Sequence, residues 1–184
     1  GMFDMITPRG AGELIIESPR HDDTLASMEP TQLEGVLWMY RDRILDLKKD
    51  SQIRDILISR HHRKPGVPPH HPYSRVTAIP IVFDETRREL REAREYYQYK
   101  RRCLYCDMLR QEIGAEKRVV RLTSWFAVVV PYAARAPLEV WVVPRQHACC
   151  YEETLAPEPA RDLAALVSRL FRILAQRFAD PGYE

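Results

Sequence analysis

Apolar residues recur at three- and four-residue spacing in two long segments, which predicts two amphipathic helices. The first helix is expected to begin at Pro30, a residue suited to a first helical turn, and to end at about Lys48. The second is expected to span residues 157–178. The apolar positions of the two segments are Leu33, Val36, Leu37, Tyr40, Ile44 and Leu47, then Leu163, Leu166, Val167, Leu170, Phe171 and Leu174.

Six short apolar runs predict β-strands. They cover residues 13–17, 53–59, 76–83, 118–122, 126–131 and 138–143. Pro80 lies inside the third run and has no N–H, so that strand is expected at a sheet edge or at a bulge. Residues 85–102 are mostly charged and predict a solvent-exposed helix, and a shorter helix is expected from Cys103 to about Ile113. The pattern favours an α+β fold, with mixed or antiparallel sheets flanked by helices.

The charges of the chain are numerous but nearly balanced. Twenty-eight basic and 26 acidic residues leave a net charge of +2, which argues against nucleic-acid binding and against adsorption to a membrane surface. No apolar run reaches the roughly 18 residues of a membrane-spanning helix, and the N-terminus lacks a secretory signal pattern. The four cysteines include one Cys-x-x-Cys, which fits a reducing compartment. We therefore expect a cytoplasmic protein.

Two segments of the chain resemble each other. Residues 13–21 (ELIIESPRH) and 139–147 (EVWVVPRQH) each begin with a glutamate, continue as a predicted strand and end with a histidine. Both then lead into an amphipathic helix. We interpret the similarity as a duplication, in which residues 1–98 form the latter part of a first repeat and residues 99–184 the first part of a second.

Two clusters of side chains carry candidate chemistry. Four of the six histidines lie within residues 60–73, where a loop leads into a predicted strand. Cys103 and Cys106 form the other cluster, because two thiolates three residues apart can bind one Zn²⁺. The alternative for this pair is two reduced cysteines in the core.

Together these motifs resemble the galactose-1-phosphate uridylyltransferase family, a two-repeat branch of the histidine-triad superfamily. The matching segments are residues 13–21, 46–50, 71–74, 78–80, 94–97, 103–107, 137–139 and 144–147. The resemblance implies histidine-triad-like repeats and a role in sugar-nucleotide (galactose) metabolism. It also implies strands and a Cys-x-x-Cys before residue 1, and a strand with a His-x-His segment after residue 184, so we expect a chain shortened at both ends.

The resemblance also identifies a candidate active site. In the family, the second imidazole of a His-Pro-His motif attacks the α-phosphate of UDP-glucose and carries the uridylyl group. Here His71 stands at the first histidine and Tyr73 at the nucleophile. A phenol, which ordinarily titrates near pH 10, is a poor substitute for an imidazole. We therefore expect no double-displacement uridylyl transfer.

Residual chemistry at this site is also conceivable. His61, His70 or His71 could act as a substitute nucleophile if the loop is shifted. Arg60 and Arg75, with His61, are expected to bind the phosphate of a UDP-sugar or a sugar phosphate.

Two metal sites are implied in the same way. The family places a third zinc ligand at His147, beside Cys103 and Cys106, and either Cys149 or Cys150 could supply a fourth. The second site has fewer ligands in this chain: His21 and His71 match its histidines, but its cysteines would precede residue 1. Two histidines alone make a weak metal site, and ordinary hydrogen-bonded histidines are the alternative.

Three interpretations of function stay open, and with them the question of whether the protein is an enzyme. The chain is an active nucleotidyltransferase with an altered nucleophile, a module that binds a nucleotide or sugar phosphate without chemistry, or a structural remnant of the family. Incomplete repeats would leave sheet edges and apolar faces exposed. We therefore expect a homodimer in which each subunit covers the other.

Overall fold

The computed structural model describes residues 9–62, 71–178 and 182–183. Its helices are α1 (Pro30–Leu47), α2 (Asp84–Lys100), α3 (Leu104–Ala115), α4 (Tyr151–Thr154) and α5 (Pro157–Phe178). Its strands are β1 (Ala11–Ile16), β2 (Asp55–Ser59), β3 (Tyr73–Ile79), β4 (Val119–Leu122), β5 (Phe126–Val129) and β6 (Trp141–Pro144). The strands form two antiparallel sheets, in the orders β1-β3-β2 and β4-β5-β6. The α+β prediction is confirmed.

The chain divides into two compact units. The first comprises Gly1–Phe83 and Ala164–Glu184, and the second comprises Asp84–Leu163. Compactness and sequence repetition are different properties, so the repeat boundary at residue 98 stays a prediction. Among the described helices, none has the length and apolar character needed to cross a membrane.

In the first unit, the β1-β3-β2 sheet has one buried and one exposed face. Alternation along the strands buries Ile15, Val76 and Ala78, whereas Leu14 and Ile16 point to the other side and are about 60% exposed. Helix α1 packs on the buried face, where the Arg43 guanidinium donates two hydrogen bonds of 2.7 Å to the Glu13 carboxylate. The opposite face is called the open face below.

The third strand differs from its prediction in both position and place in the sheet. It spans Tyr73–Ile79 instead of residues 76–83, and it is the central strand, not an edge. Pro80 has no N–H for a ladder, so the strand ends just before it. Pairing with β1 begins three residues earlier than predicted, where Tyr73 lies opposite Ile16.

In the second unit, the central strand β5 is buried along its whole length. Ala127 and Val129 pack with Leu109 of α3, and Trp141 of β6 lies against this cluster. Strand β6 begins three residues later than the predicted 138, because Leu138 has a φ of 63° and the Glu139 N–H closes a turn on the Ala136 carbonyl.

Candidate functional site

Two cysteines and a histidine of the second unit come together at the start of helix α3. Cys103 precedes the first helical residue in extended conformation, and Cys106 lies in the first turn. A spacing of three places both side chains on the same side of the helix. His147 follows the end of β6, and its Nδ1 lies 3.2 Å from the Cys106 Sγ.

One ligand atom from each of these three residues lies within 4.8 Å of the other two. Two sulfurs and one imidazole nitrogen are a donor set that Zn²⁺ prefers, at a separation that a single ion can bridge. Burial raises the pKa of the Cys106 thiol, and the neighbouring Cys103 raises it further. A bound cation would offset that effect by stabilising the thiolates. The residues can therefore hold a metal ion, and zinc fits them.

The cluster lies along a cleft of about 450 Å³. Leu109, Ile113 and Val143 form its apolar wall, and Arg110 and Arg145 add positive charge to its lining. Arg110 also pairs with Asp107 at 2.7 Å, and Arg145 donates to the Thr123 carbonyl at 2.6 Å. The three residues that could hold a metal ion are thus reachable from outside the protein.

The two histidines of the other predicted metal site are also neighbours. The rings of His21 and His71 have centroids 5.5 Å apart and are inclined by 58°. The Nε2 of His71 lies 2.5 Å from the Ser18 carbonyl oxygen and donates to it, which leaves Nδ1 as the acceptor. Within the described ranges, only the Cys103 cluster gathers three or more metal-binding side chains. The role of His21 and His71 as ligands stays a prediction.

Tyr73, which the sequence resemblance predicts at the position of the family nucleophile, begins strand β3 on the open face. Alternation places Arg75 on the same face, two residues on, and the register sets Leu14 and Ser59 opposite Arg75. Tyr73 is half-buried and Arg75 is exposed. The phenol and the guanidinium therefore face the same side of the sheet, where a ligand can reach them.

Arg60 lies on the other side of the sheet from Arg75. Its Nε donates to the Glu17 carboxylate at 2.5 Å, and the two side chains are 10% and 0% exposed. The same carboxylate accepts from the Ser74 hydroxyl at 2.5 Å and from the Tyr40 hydroxyl at 3.0 Å. The structure thus separates two residues that the sequence placed at one substrate site, and the substrate contact of Arg60 stays a prediction.

Tyr183 completes this network from the far end of the chain. Its hydroxyl accepts a hydrogen bond from Arg60, whose guanidinium carbon lies 5.3 Å from the ring centroid. Its backbone pairs with His62 through hydrogen bonds of 2.9 and 3.1 Å. Burial raises the pKa of Tyr183 to about 12. No local motif signalled this contact, nor the pairing of Glu17 with Arg60.

The two other histidines predicted as substitute nucleophiles are His61 and His70. His61 is half-buried and directly precedes the His62–Tyr183 bridge. His70, the other candidate nucleophile, lies outside the described residues. Substitute nucleophiles therefore stay a prediction.

Comparisons with known proteins agree on one family. The model described as "Galactose-1-phosphate uridyl transferase, C-terminal domain" matches residues 89–180. A galactose-1-phosphate uridylyltransferase from Thermotoga maritima is 28% identical over 182 residues, which are 97% of this chain and 57% of that relative. An ADP-glucose phosphorylase from Arabidopsis thaliana is 26% identical over 175 residues, covering 95% and 48%.

A solved structure shows the same architecture. The ADP-glucose phosphorylase from Arabidopsis thaliana, with bound ADP-glucose, superposes with a TM-score of 0.84 at 26% identity. The match covers 94% of this chain and 54% of that one. The two antiparallel sheets with their flanking helices thus define a uridylyltransferase-like protein.

The chain belongs to the galactose-1-phosphate uridylyltransferase family, as its motifs predicted. It spans about half the length of the curated relatives it matches.

Proposed function

We propose that this protein binds a nucleotide or sugar phosphate in sugar-nucleotide metabolism and does not form a covalent uridylyl-enzyme. The proposal rests on Tyr73, a phenol on the open face at the position that the sequence resemblance assigns to the family's nucleophilic imidazole. The names of the relatives support the class of ligand, because they are uridylyltransferases and an ADP-glucose phosphorylase.

The chemistry of the two side chains explains why transfer is not expected. A neutral imidazole attacks phosphorus near pH 7 and leaves well once phosphorylated. An ordinary phenol is protonated at that pH and forms a more stable phosphoester. Arg75, exposed on the same face as Tyr73, offers a planar guanidinium that suits two phosphate oxygens at once. The site can therefore bind a phosphate ligand without catalysing uridylyl transfer.

We further propose one zinc ion per chain at Cys103, Cys106 and His147. A zinc ion that binds only the folded site adds its binding free energy to the stability of that fold. The ion would join the start of α3 to the residues after β6. Its role in this proposal is to stabilise the second unit, not to take part in transfer.

The test of transfer is labelling of the protein by a radioactive donor. The chain is incubated with UDP-glucose labelled in the α-phosphate, and in parallel with ADP-glucose labelled likewise, and protein-bound label is counted after denaturation. The Thermotoga maritima relative serves as the positive control. We expect no label on this chain. Any label that survives denaturation would overturn the proposal, and its loss in Tyr73→Phe would identify the phenol as the nucleophile.

The test of binding is calorimetry with UMP, UDP and galactose 1-phosphate. We expect Arg75→Ala to weaken binding of a phosphate ligand by about tenfold, since a charge-assisted hydrogen bond contributes roughly 1.5–3 kcal/mol. Arg94→Ala, on the exposed helix α2, is the matched control and should leave affinity unchanged. Absence of binding by every ligand would favour the second candidate, a non-catalytic and dimeric remnant of the family.

A further inference from the structure

The imidazole of His147 lies between sulfur atoms on two sides. Its Nδ1 is 3.2 Å from the Cys106 Sγ, and its Nε2 is 3.9 Å from the Cys149 Sγ. The Cys106 side belongs to the metal-binding cluster described above. The Cys149 side is left unexplained by that cluster, because the Cys149 sulfur is not one of its three mutually close atoms.

The chemistry of imidazole links the two contacts. A neutral ring has one nitrogen with a lone pair and one with a proton. If the lone pair is on Nδ1, which faces the Cys106 sulfur, the proton is on Nε2 and points toward the Cys149 sulfur. Histidines that bind metals usually donate the second ring N–H to a carboxylate or carbonyl, which fixes the ring. Sulfur is a weaker acceptor, but it can take that place.

We propose that Cys149 is a positioning residue for the metal site, accepting the Nε2–H of His147 and directing Nδ1 to the metal. The proposal rests on the zinc site proposed above. Cys149 is not itself a ligand, since the two ring nitrogens point to opposite edges of the imidazole. The segment after β6 brings the thiol to this edge, because Cys149 follows His147 by two residues without regular secondary structure.

The adjacent Cys150 offers a matched control. It has the same side chain and is one position further on, where it precedes helix α4. Cys150 is not one of the three residues whose ligand atoms come together in the described structure, and the sulfur found 3.9 Å from the Nε2 of His147 is that of Cys149. A difference between the two alanine variants therefore reports the position of the thiol and not the number of cysteines.

The experiment compares wild type, Cys149→Ala, Cys149→Ser and Cys150→Ala as intact chains. Cobalt(II) chloride is titrated into each protein, and zinc content per chain is measured after loading with zinc chloride. The intensity of the thiolate-to-cobalt charge-transfer band reports how many sulfurs bind the ion. Nitrogen-15 spectra of histidine-labelled, zinc-loaded protein report which ring nitrogen of His147 is bound.

We expect one zinc per wild-type chain, bound through Nδ1 of His147. Cys149→Ala should weaken cobalt binding by about tenfold or more, the loss typical of removing such an outer partner. Its charge-transfer intensity should match the wild type, since Cys103 and Cys106 still bind. Cys149→Ser should recover part of the affinity, because a hydroxyl also accepts the N–H, and Cys150→Ala should bind like the wild type.

Other outcomes overturn the proposal in distinguishable ways. A weaker charge-transfer band in Cys149→Ala would make Cys149 a direct ligand, and zinc bound through Nε2 would exclude the positioning role. Equal cobalt affinity of Cys149→Ala and Cys150→Ala would exclude a positioning role for Cys149 but would leave the proposed zinc site in place. Failure of the wild type to bind cobalt or zinc would exclude the proposed zinc site as well. Circular dichroism checks folding, and Cys149→Ser carries the test if the alanine variant does not fold.

Discussion

At the scale of single residues, two buried serines show that a buried hydroxyl can either stabilise or destabilise the fold. Ser74 and Ser168 are 0% and 2% exposed. The Ser74 hydroxyl donates to the buried Glu17 carboxylate, whereas the Ser168 hydroxyl has no hydrogen-bond partner among the described residues. A buried polar group stabilises a fold only when it is paired.

The same change at these two serines is therefore expected to have opposite effects. Ser74→Ala should lower the free energy of unfolding by about 2 kcal/mol, because the Glu17 carboxylate loses a donor inside the protein. Ser168→Ala should raise it by up to about 1 kcal/mol, since alanine removes an unpaired hydroxyl and favours the helix. Urea unfolding followed by circular dichroism measures both. Equal destabilisation by the two changes would show that the hydroxyls are not distinguished by their pairing.

At the scale of elements, the Asp107 carboxylate joins helices α2 and α3. It accepts hydrogen bonds from Tyr96 of α2 at 2.8 Å, from Arg102 between the helices at 2.7 Å and from Arg110 of α3 at 2.7 Å. The Tyr96 hydroxyl and the Arg102 guanidinium hold the pKa of Asp107 below its usual range. The ionised form of Asp107 is thus favoured by folding.

This junction predicts a stability difference that depends on pH. A carboxyl whose pKa is lower in the folded state stabilises above its unfolded value, near 3.9, and loses that contribution as pH falls through the folded value. Asp107→Asn should therefore melt at a lower temperature than the wild type at pH 7, and the difference should close below about pH 4. Melting curves from pH 7 to pH 2.5 test this, with Asp22→Asn as an exposed control. A difference in melting temperature between Asp107→Asn and the wild type that stays constant from pH 7 to pH 2.5 would contradict the prediction.

The long helices were the elements most open to prediction from sequence. Helix α5 spans the predicted residues and α1 ends within one residue of its expected end, because a 3.6-residue period over many turns leaves little ambiguity. Strands are short, and an apolar run does not say which strand is central. Pro80 therefore suggested an edge strand, whereas the chain places Pro80 just beyond a central one.

The candidate sites were predictable to different degrees for a physical reason. Cys103 and Cys106 are three residues apart, so local spacing alone brings them together, and the family resemblance supplied His147. The separation of Arg60 from Arg75 depends on the pairing of three strands, which local sequence does not encode. The sequence predicts one substrate site for both arginines, because their charge is the property it shows.

At the scale of the whole molecule, the open face of the β1-β3-β2 sheet presents apolar side chains to solvent. Leu14 and Ile16 are 59% and 60% exposed, and Leu57 on the same face is 49% exposed. Large apolar side chains exposed together on one face of a sheet are typical of an interaction surface. The homodimer expected from the sequence could bury these side chains, and Tyr73 and Arg75, which lie opposite Ile16 and Leu14, would then line a ligand site at its interface.

We predict that the protein is a homodimer at micromolar concentration and that Ile16→Glu converts it to a monomer, because a buried unpaired charge opposes association. Light scattering after size-exclusion chromatography gives the mass, against 21.5 kDa for one chain. Leu90→Glu is the control, since Leu90 is 61% exposed and lies on helix α2, which belongs to the second unit. A wild-type mass of one chain would refute the dimer, and an Ile16→Glu dimer would place its interface elsewhere.

The division of the first unit between two stretches of chain has a consequence for its synthesis. The second unit is one continuous stretch, so a ribosome finishes it before it reaches residue 164. Arg60 must wait for Tyr183, 123 positions later, on the order of ten seconds at about 5–20 residues per second. The unit that is begun first is therefore completed last. Until synthesis reaches Tyr183, Arg60 lacks the hydroxyl that accepts its hydrogen bond.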